Sequence, residues 1–180
     1  MFKKISTLVI IVLLLGSSAQ AGLIFTPSIT YMSQTLNDGA NPPETDSKLT
    51  IIDLRLGYVL DFGLYFGGLY SIQDQNLLAD SSDSYFGPSI GYYNSGFMIM
   101  GTYYLYGERD LTSGSGKYTE VKGFQIDLSY SVPIAETLLI GPQLTYHNIE
   151  FDQFEASGFG GPTDYKLSSI TPYFNITFLF

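Results

Sequence analysis

The sequence contains no cysteine and no tryptophan, and its single histidine is His147. Without cysteine the chain can form no disulfide framework and cannot be anchored through a lipidated cysteine. One histidine also leaves few groups for nucleophilic catalysis or for a transition-metal site. We therefore expect no catalytic residues, no metal site and no cofactor.

Charged residues are the second scarce class. They make up 14% of the chain, against about 25% in an average soluble domain. Only 8 residues are Lys or Arg against 17 acidic ones, and the net charge is −9. Because the basic residues form no cluster, nucleic-acid binding has no electrostatic basis. Hydrophobic residues reach 45% and aromatic ones 16%, all Tyr and Phe.

The N-terminus has the three-part pattern of a secretory signal peptide. A positive start, Met1–Lys4, precedes an apolar run at 8–15 and small residues at 18–21. The apolar run is too short for a transmembrane helix, which needs about 20 residues. We predict a signal peptide at 1–21 and a single domain at 22–180, with no further domain after it. The alternative is a retained N-terminal anchor.

Alternation of large apolar and small polar residues dominates the rest of the chain. It is clearest at 49–60, 123–132, 138–146 and 171–180, and a period of two predicts β-strands. The intervening residues are Ser, Thr, Gln, Asn, Gly, Asp and Arg. Such residues suit the polar lumen of a narrow membrane barrel, while the large apolar set faces lipid.

Eight strands are predicted, at 23–35, 48–60, 62–74, 84–94, 97–109, 118–132, 137–151 and 165–180. Long connections at 36–47, 75–83, 110–117 and 152–164 alternate with short turns, as in bacterial membrane barrels. The predicted fold is all-β, an eight-stranded antiparallel up-and-down transmembrane β-barrel. Which face residues 97–109 present to the lumen stays open.

The final strand ends in aromatic and aliphatic residues at every second position, Phe174, Ile176, Phe178 and Phe180. This segment resembles the C-terminal signature of bacterial outer-membrane barrels, and the resemblance implies recognition by the barrel-assembly machinery. The whole mature chain resembles small barrels of the OmpA/OmpX type. That resemblance implies export to the outer membrane of a Gram-negative cell, in contact with outer-membrane lipid and lipopolysaccharide.

Some barrels of this kind are lipid A deacylases or palmitoyl transferases, which makes His147 a candidate catalytic residue. The deacylase pattern has a serine two residues after its histidine, whereas Asn148 and Ile149 follow here. Catalysis needs a nucleophile, a base and an orienting group together. We expect His147 to be a lumen-side residue near the outer rim, and the protein not to be an enzyme.

Three charged residues are predicted to face the lumen: Asp53, Arg55 and Asp127. Asp53 and Arg55 are two residues apart on one strand and so share a face. Asp127 lies at a similar depth on another strand. We expect an ion-pair network across the lumen, because an unpaired charge in a confined interior is costly. It could act as a permanent plug or as a gate that opens.

Thirteen of the 17 acidic residues fall around the four long connections. They could simply keep the loops solvated, or they could hold divalent cations against lipopolysaccharide phosphates. We predict a structural or interaction role at the cell envelope, with an unknown extracellular partner. The alternatives are a narrow gated pore or transporter for small solutes or hydrophobic molecules, a lipid-modifying enzyme, and a soluble ligand-binding barrel.

Overall fold

A computed structural model describes residues 22–36, 45–76, 80–111, 116–156 and 159–180. Within these ranges every regular element is a β-strand, and all strand pairs are antiparallel. No helix in the described part of the chain is long and apolar enough to cross a membrane. The predicted signal peptide, 1–21, lies outside the described residues.

In the described ranges, ten strands form one sheet that closes on itself. They are β1 Gly22–Leu36, β2 Thr45–Val59, β3 Leu64–Asn76, β4 Asp80–Asn94, β5 Phe97–Tyr104, β6 Tyr106–Leu111, β7 Gly116–Tyr130, β8 Val132–Ala135, β9 Leu138–Ala156 and β10 Phe159–Leu179. Consecutive strands pair, except β5 with β6 and β7 with β8, and β10 returns to pair with β1. β5 and β6 lie end to end between β4 and β7, while β7 and β8 both pair with β9. The ring therefore has eight positions.

A bulge separates β5 from β6, and it explains why one predicted strand appears as two. Phe86 of β4 pairs with Tyr106 of β6, and Ser89 of β4 pairs with Thr102 of β5. Two residues of β4 therefore lie opposite three residues, 103–105, of the neighbouring segment that runs from β5 into β6. Pro88, inside this stretch, has no N–H to donate to the ladder. Because the bulge adds one residue, Leu105 and Tyr106 both point outward, and the phase of alternation shifts by one beyond them.

The predicted long connection at 152–164 is wrong. β9 continues to Ala156 and β10 begins at Phe159, and these two residues pair with each other. On its other side Ala156 pairs with Gly116 of β7. The segment is rich in Gly, Asp and Pro, which is typical of loops, but pairing with neighbouring strands extends the sheet here.

The two faces of the ring carry opposite kinds of side chain. Large hydrophobic residues alternate outward along the strands and form a surface that we call the outward apolar belt. It comprises Leu23, Ile29, Tyr31, Ile52, Leu54, Leu56, Tyr58, Phe66, Tyr70, Phe86, Ile90, Ile99, Tyr103, Phe124, Ile126, Leu128, Tyr130, Leu144, Ile170 and Phe174, each at least 36% exposed. The predicted alternation is thus observed, and most buried polar side chains lie on the interior face.

The interior is not polar throughout, which corrects the prediction. One buried apolar cluster, the turn-end cluster, lies toward the short turns and consists of Ile24, Val59, Tyr65, Tyr93, Met98 and Met100. A second, the loop-end cluster, lies toward the opposite end and consists of Leu69, Tyr85, Tyr104, Val121, Ile149 and Phe151. Met98 and Met100 also settle the phase of β5, because both point inward.

Candidate functional site

The three charged residues predicted to meet do so at the centre of the ring. Arg55 Nη2 lies 2.8 Å from Asp53 Oδ2 and 2.9 Å from Asp127 Oδ2. All three side chains are at most 1% exposed. Asp53 and Arg55 belong to β2 and Asp127 to β7, which are not neighbours in the ring. Arg55 therefore reaches across the interior.

Neutral donors add hydrogen bonds to the two carboxylates. Ser71 Oγ donates to Asp53 Oδ1 over 2.6 Å, and Thr145 Oγ1 donates to Asp127 Oδ1 over 2.7 Å. Gln125 Nε2 donates to both carboxylates, at 2.9 and 2.8 Å. With one guanidinium for two carboxylates, these donors supply stabilisation that the ion pairs alone lack.

Arg55 is held on its other side by β1 and β9. Its Nη1 donates to Ser28 Oγ over 3.1 Å, and Ser28 donates to Gln143 Oε1 over 3.0 Å. Gln143 Nε2 in turn donates to Asp127 Oδ1 over 3.1 Å. The charged cluster thus links side chains from β1, β2, β3, β7 and β9, so it fixes the cross-section of the ring.

A second buried ion pair, which the sequence pattern does not predict, lies nearer the loop end. Arg109 Nε is 3.5 Å from Asp83 Oδ1, and Arg109 Nη2 donates to Ser81 Oγ over 3.0 Å. Tyr85 donates to Asp83 Oδ2 over 2.9 Å, and the guanidinium lies over the ring of Tyr165, 5.5 Å from its centroid. The predicted long connection at 75–83 is wrong at its end, since β4 begins at Asp80 and Asp83 within it is 1% exposed.

The interior is therefore filled in four layers. From the turn end they are the turn-end cluster, the Asp53–Arg55–Asp127 cluster, the loop-end cluster and the Asp83–Arg109 pair. Tyr104 joins two layers, because it packs in the loop-end cluster and its hydroxyl donates to Gln125 Oε1.

His147 lies on the interior face of β9, 4% exposed. Its Nε2 is 3.2 Å from the hydroxyl of Tyr173, and the two rings stack with centroids 6.3 Å apart. Within the described ranges no group of three or more His, Cys, Asp or Glu side chains could hold a metal ion. This geometry gives His147 a packing role beside the charged cluster.

The four residues of the predicted C-terminal signal lie on the outward face of β10 or directly after it. Phe174 and Phe180 are 48% and 73% exposed, whereas Ile176 and Phe178 are half-buried. Phe178 stacks on Phe25 of β1 with ring centroids 6.1 Å apart. These residues therefore sit at the seam where the last strand pairs with the first.

Outward-facing lysines form ion pairs between adjacent strands at the loop end. Lys117 Nζ lies 2.6 Å from Glu108 Oε2, and Lys166 Nζ lies 3.1 Å from Glu150 Oε1. Lys122 pairs with Asp152. Of the predicted loop acids, Asp38 and Glu44 lie outside the described residues.

Glu108 offers a test of this rim. The hydrogen bond from Lys117, followed by that from Tyr106, lowers the pKa of Glu108 below its ordinary value of 4.5. The ionised form is therefore favoured in the folded state, so its stabilisation is present above pH 4.5 and is lost as the pH falls through the lowered pKa.

We expect Glu108→Gln to reduce the free energy of unfolding at pH 7 by at most about 1 kcal/mol, because the pair is partly exposed. The difference from wild type should shrink as the pH falls below 4.5. Urea unfolding curves across pH measure it, with Glu136→Gln in the exposed turn after β8 as the control. A difference that stays constant with pH would contradict the assignment.

Comparison with known proteins identifies no family for this chain. No protein-family model matches the sequence, and no curated protein matches it. One solved structure, described as "Asymmetric conductivity of engineered proteins", is 8% identical, with 89% of this chain and 100% of that chain covered and a TM-score of 0.18. A similarity this low carries no argument about fold or function.

Proposed function

We propose that the chain is an integral outer-membrane protein, an eight-stranded transmembrane β-barrel with a structural or interaction role at the cell envelope. The observation that carries this proposal is the distribution of polarity: the outer face is largely apolar, and the interior holds charged clusters beside two apolar ones. Hydrophobic side chains face outward around the ring, while both buried ion-pair clusters lie inside it.

The size of the outward apolar belt supports a membrane location. Soluble monomers seldom expose a contiguous apolar patch of more than a few hundred Å², yet here the apolar surface continues around the strands. On β1 it runs over nine residues, from Leu23 to Tyr31. At about 3.3 Å per residue and a tilt of about 40° these span about 23 Å, close to the apolar band of about 25 Å in outer-membrane barrels.

Aromatic residues near both edges of the belt agree with interfacial girdles. Tyr31, Tyr70 and Tyr106 point outward near the loop end, and Tyr58 and Tyr130 point outward near the turn end. The lysine pairs Lys117–Glu108, Lys122–Asp152 and Lys166–Glu150 lie beyond the belt at the loop end. Charged side chains thus appear on the outer face at the level where a lipid headgroup region would begin.

Extraction of cell envelopes tests the membrane proposal. We expect the protein to stay in the pellet after high salt and alkaline carbonate and to be released only by detergent. The partition follows from the belt, which can leave lipid only by exposing its hydrophobic side chains to water. Release by salt alone would favour the alternative of a soluble ligand-binding barrel.

Within this role we propose that the filled interior closes the barrel, so that the loop end and the lipid-facing wall carry the interactions. Outer-membrane lipid and lipopolysaccharide are the proposed partners, on the strength of the belt and of the charged rim above it. The resemblance of Phe174, Ile176, Phe178 and Phe180 to an assembly signal adds the barrel-assembly machinery. An enzymatic role has no support in the surroundings of His147, which stacks on Tyr173.

A narrow gated pore is the second candidate. It is favoured by one feature: the central cluster depends on a single long side chain, Arg55, that links β2 to β7. Conductance of the protein in a planar bilayer separates the two candidates. We expect wild type to be silent, with insertion verified independently. Reproducible current steps that change in Arg55→Ala would instead establish the gated pore.

A further inference from the structure

A groove interrupts the outward apolar belt at Gly101. The residue lies between Ile90 of β4 and Ile126 of β7 in the pairing register. A Cβ added at Gly101 would meet no atom within 4 Å, so the missing side chain leaves open space on the outer face. The resulting groove has a volume of about 410 Å³, and its outward walls are Pro88, Ile90, Tyr103, Phe124 and Ile126.

The bulge between β5 and β6 lies just beyond Tyr103, on the loop side of this groove. It turns Leu105 and Tyr106 outward together, with 64% and 59% of these side chains exposed. The floor is closed, because Ser89 and Thr102 hydrogen-bond to each other over 2.7 Å on the interior side and Gln125 is fully buried. The groove is thus a pocket in the wall of the ring and not a passage through it.

We propose that this groove holds one acyl chain of a phospholipid with a zwitterionic headgroup. The inference rests on the membrane location proposed above, since it places the groove within the apolar band of the bilayer. A void there would forfeit dispersion contacts on both sides, and a hydrocarbon chain is the filler that a bilayer supplies. The chain in the groove would be stabilised by closer packing and not by the hydrophobic effect, because lipid tails and apolar side chains are equally apolar.

Charges above the groove select the headgroup. Lys122 lies on the same face of β7 as Phe124 and Ile126, about 7 Å beyond Phe124 along the strand. Its ammonium, on a side chain that is 64% exposed, pairs with Asp152. An ammonium has three donors, so a lipid phosphate can share it with Asp152. A headgroup that also carries a cation can pair with the Asp152 carboxylate, which favours phosphoethanolamine over a purely anionic headgroup.

Native mass spectrometry of protein extracted from membranes of phosphatidylethanolamine and phosphatidylglycerol tests the proposal. We expect wild type to retain one lipid per chain, with phosphatidylethanolamine preferred. Gly101→Leu fills the groove and should lower the lipid-bound fraction about tenfold. Gly101→Ala, whose methyl group meets no atom, should fold and lower it less.

Gly68→Leu is the matched control, because Gly68 is also an outward-facing glycine but lies on β3 and does not line the groove. It should retain lipid as wild type does, while Lys122→Gln should abolish the preference for phosphatidylethanolamine. The proposal would be overturned if Gly101→Leu and wild type retained lipid equally. A doubled protein mass without bound lipid would also overturn it, because the groove would then be a contact between two copies of the chain.

Release of the protein from membranes by alkaline carbonate would instead refute the membrane location on which the proposal rests.

Discussion

Arg55→Ala should lower the free energy of unfolding by about 3–5 kcal/mol, the usual effect of breaking a buried ion pair from one side. The substitution removes the only guanidinium that contacts Asp53 and Asp127, each at most 1% exposed. The two buried carboxylates would then keep their hydrogen bonds from neutral donors such as Gln125 and Thr145 but would lose the positive charge that pairs with them. Urea unfolding of the protein refolded in lipid vesicles measures the loss.

A neutral replacement of the whole cluster separates lost charge pairing from lost packing. The triple variant Arg55→Met, Asp53→Asn, Asp127→Asn keeps similar side-chain volumes and removes every charge of this cluster. We expect it to recover more than half of the stability lost in Arg55→Ala, because well-packed neutral groups can replace a buried ion pair at little cost. A loss below about 1 kcal/mol in Arg55→Ala would show that the cluster does not stabilise the ring.

Leu54→Arg should destabilise the protein in lipid by about 2–4 kcal/mol, the effect of arginine at the midplane of an outer-membrane barrel. Leu54 points outward at the middle of the β2 part of the apolar belt, which includes Ile52, Leu56 and Tyr58. Its guanidinium would lie in hydrocarbon, whereas in a water-exposed sheet it would be solvated. Reversible unfolding from lipid vesicles measures the difference.

Thr50→Arg is the control for this prediction, since Thr50 lies on β2 opposite Tyr31, at the loop-side edge of the belt. Near the interface the cost should fall to about 0–1 kcal/mol. Equal and small effects at positions 50 and 54 would argue that water and not lipid surrounds the strand.

The central cluster could be predicted because side chains along a strand alternate between its two faces with a period of two. In 49–60 and 123–132 the large apolar residues mark one face without interruption, so Asp53, Arg55 and Asp127 had to share the other. Their position in mid-strand placed them at a similar depth. The surrounding donors were not predicted, because the contacts of Gln125 and Thr145 depend on the register between β7 and β9.

The second ion pair could not be predicted, for a related reason. Arg109 points inward only because the bulge at Leu105 shifts the alternation by one residue after β5. Continued from Met98 and Met100, an unbroken strand would have turned Arg109 outward. Its partner Asp83 lies in a Ser- and Asp-rich stretch that is typical of loops, and only the pairing of β4 with β3 and β6 makes it a strand.

Spin-label accessibility along the β5–β6 line tests the membrane-barrel account most directly, and the absence of cysteine allows single labelled sites. Labels would be placed at Ile99 and Tyr103 in the belt and at Glu108 beyond it, with the protein in lipid vesicles. We predict that labels at 99 and 103 collide with oxygen but not with a water-soluble nickel chelate, while the label at 108 collides with the chelate. Equal access of the chelate to all three sites would contradict the account.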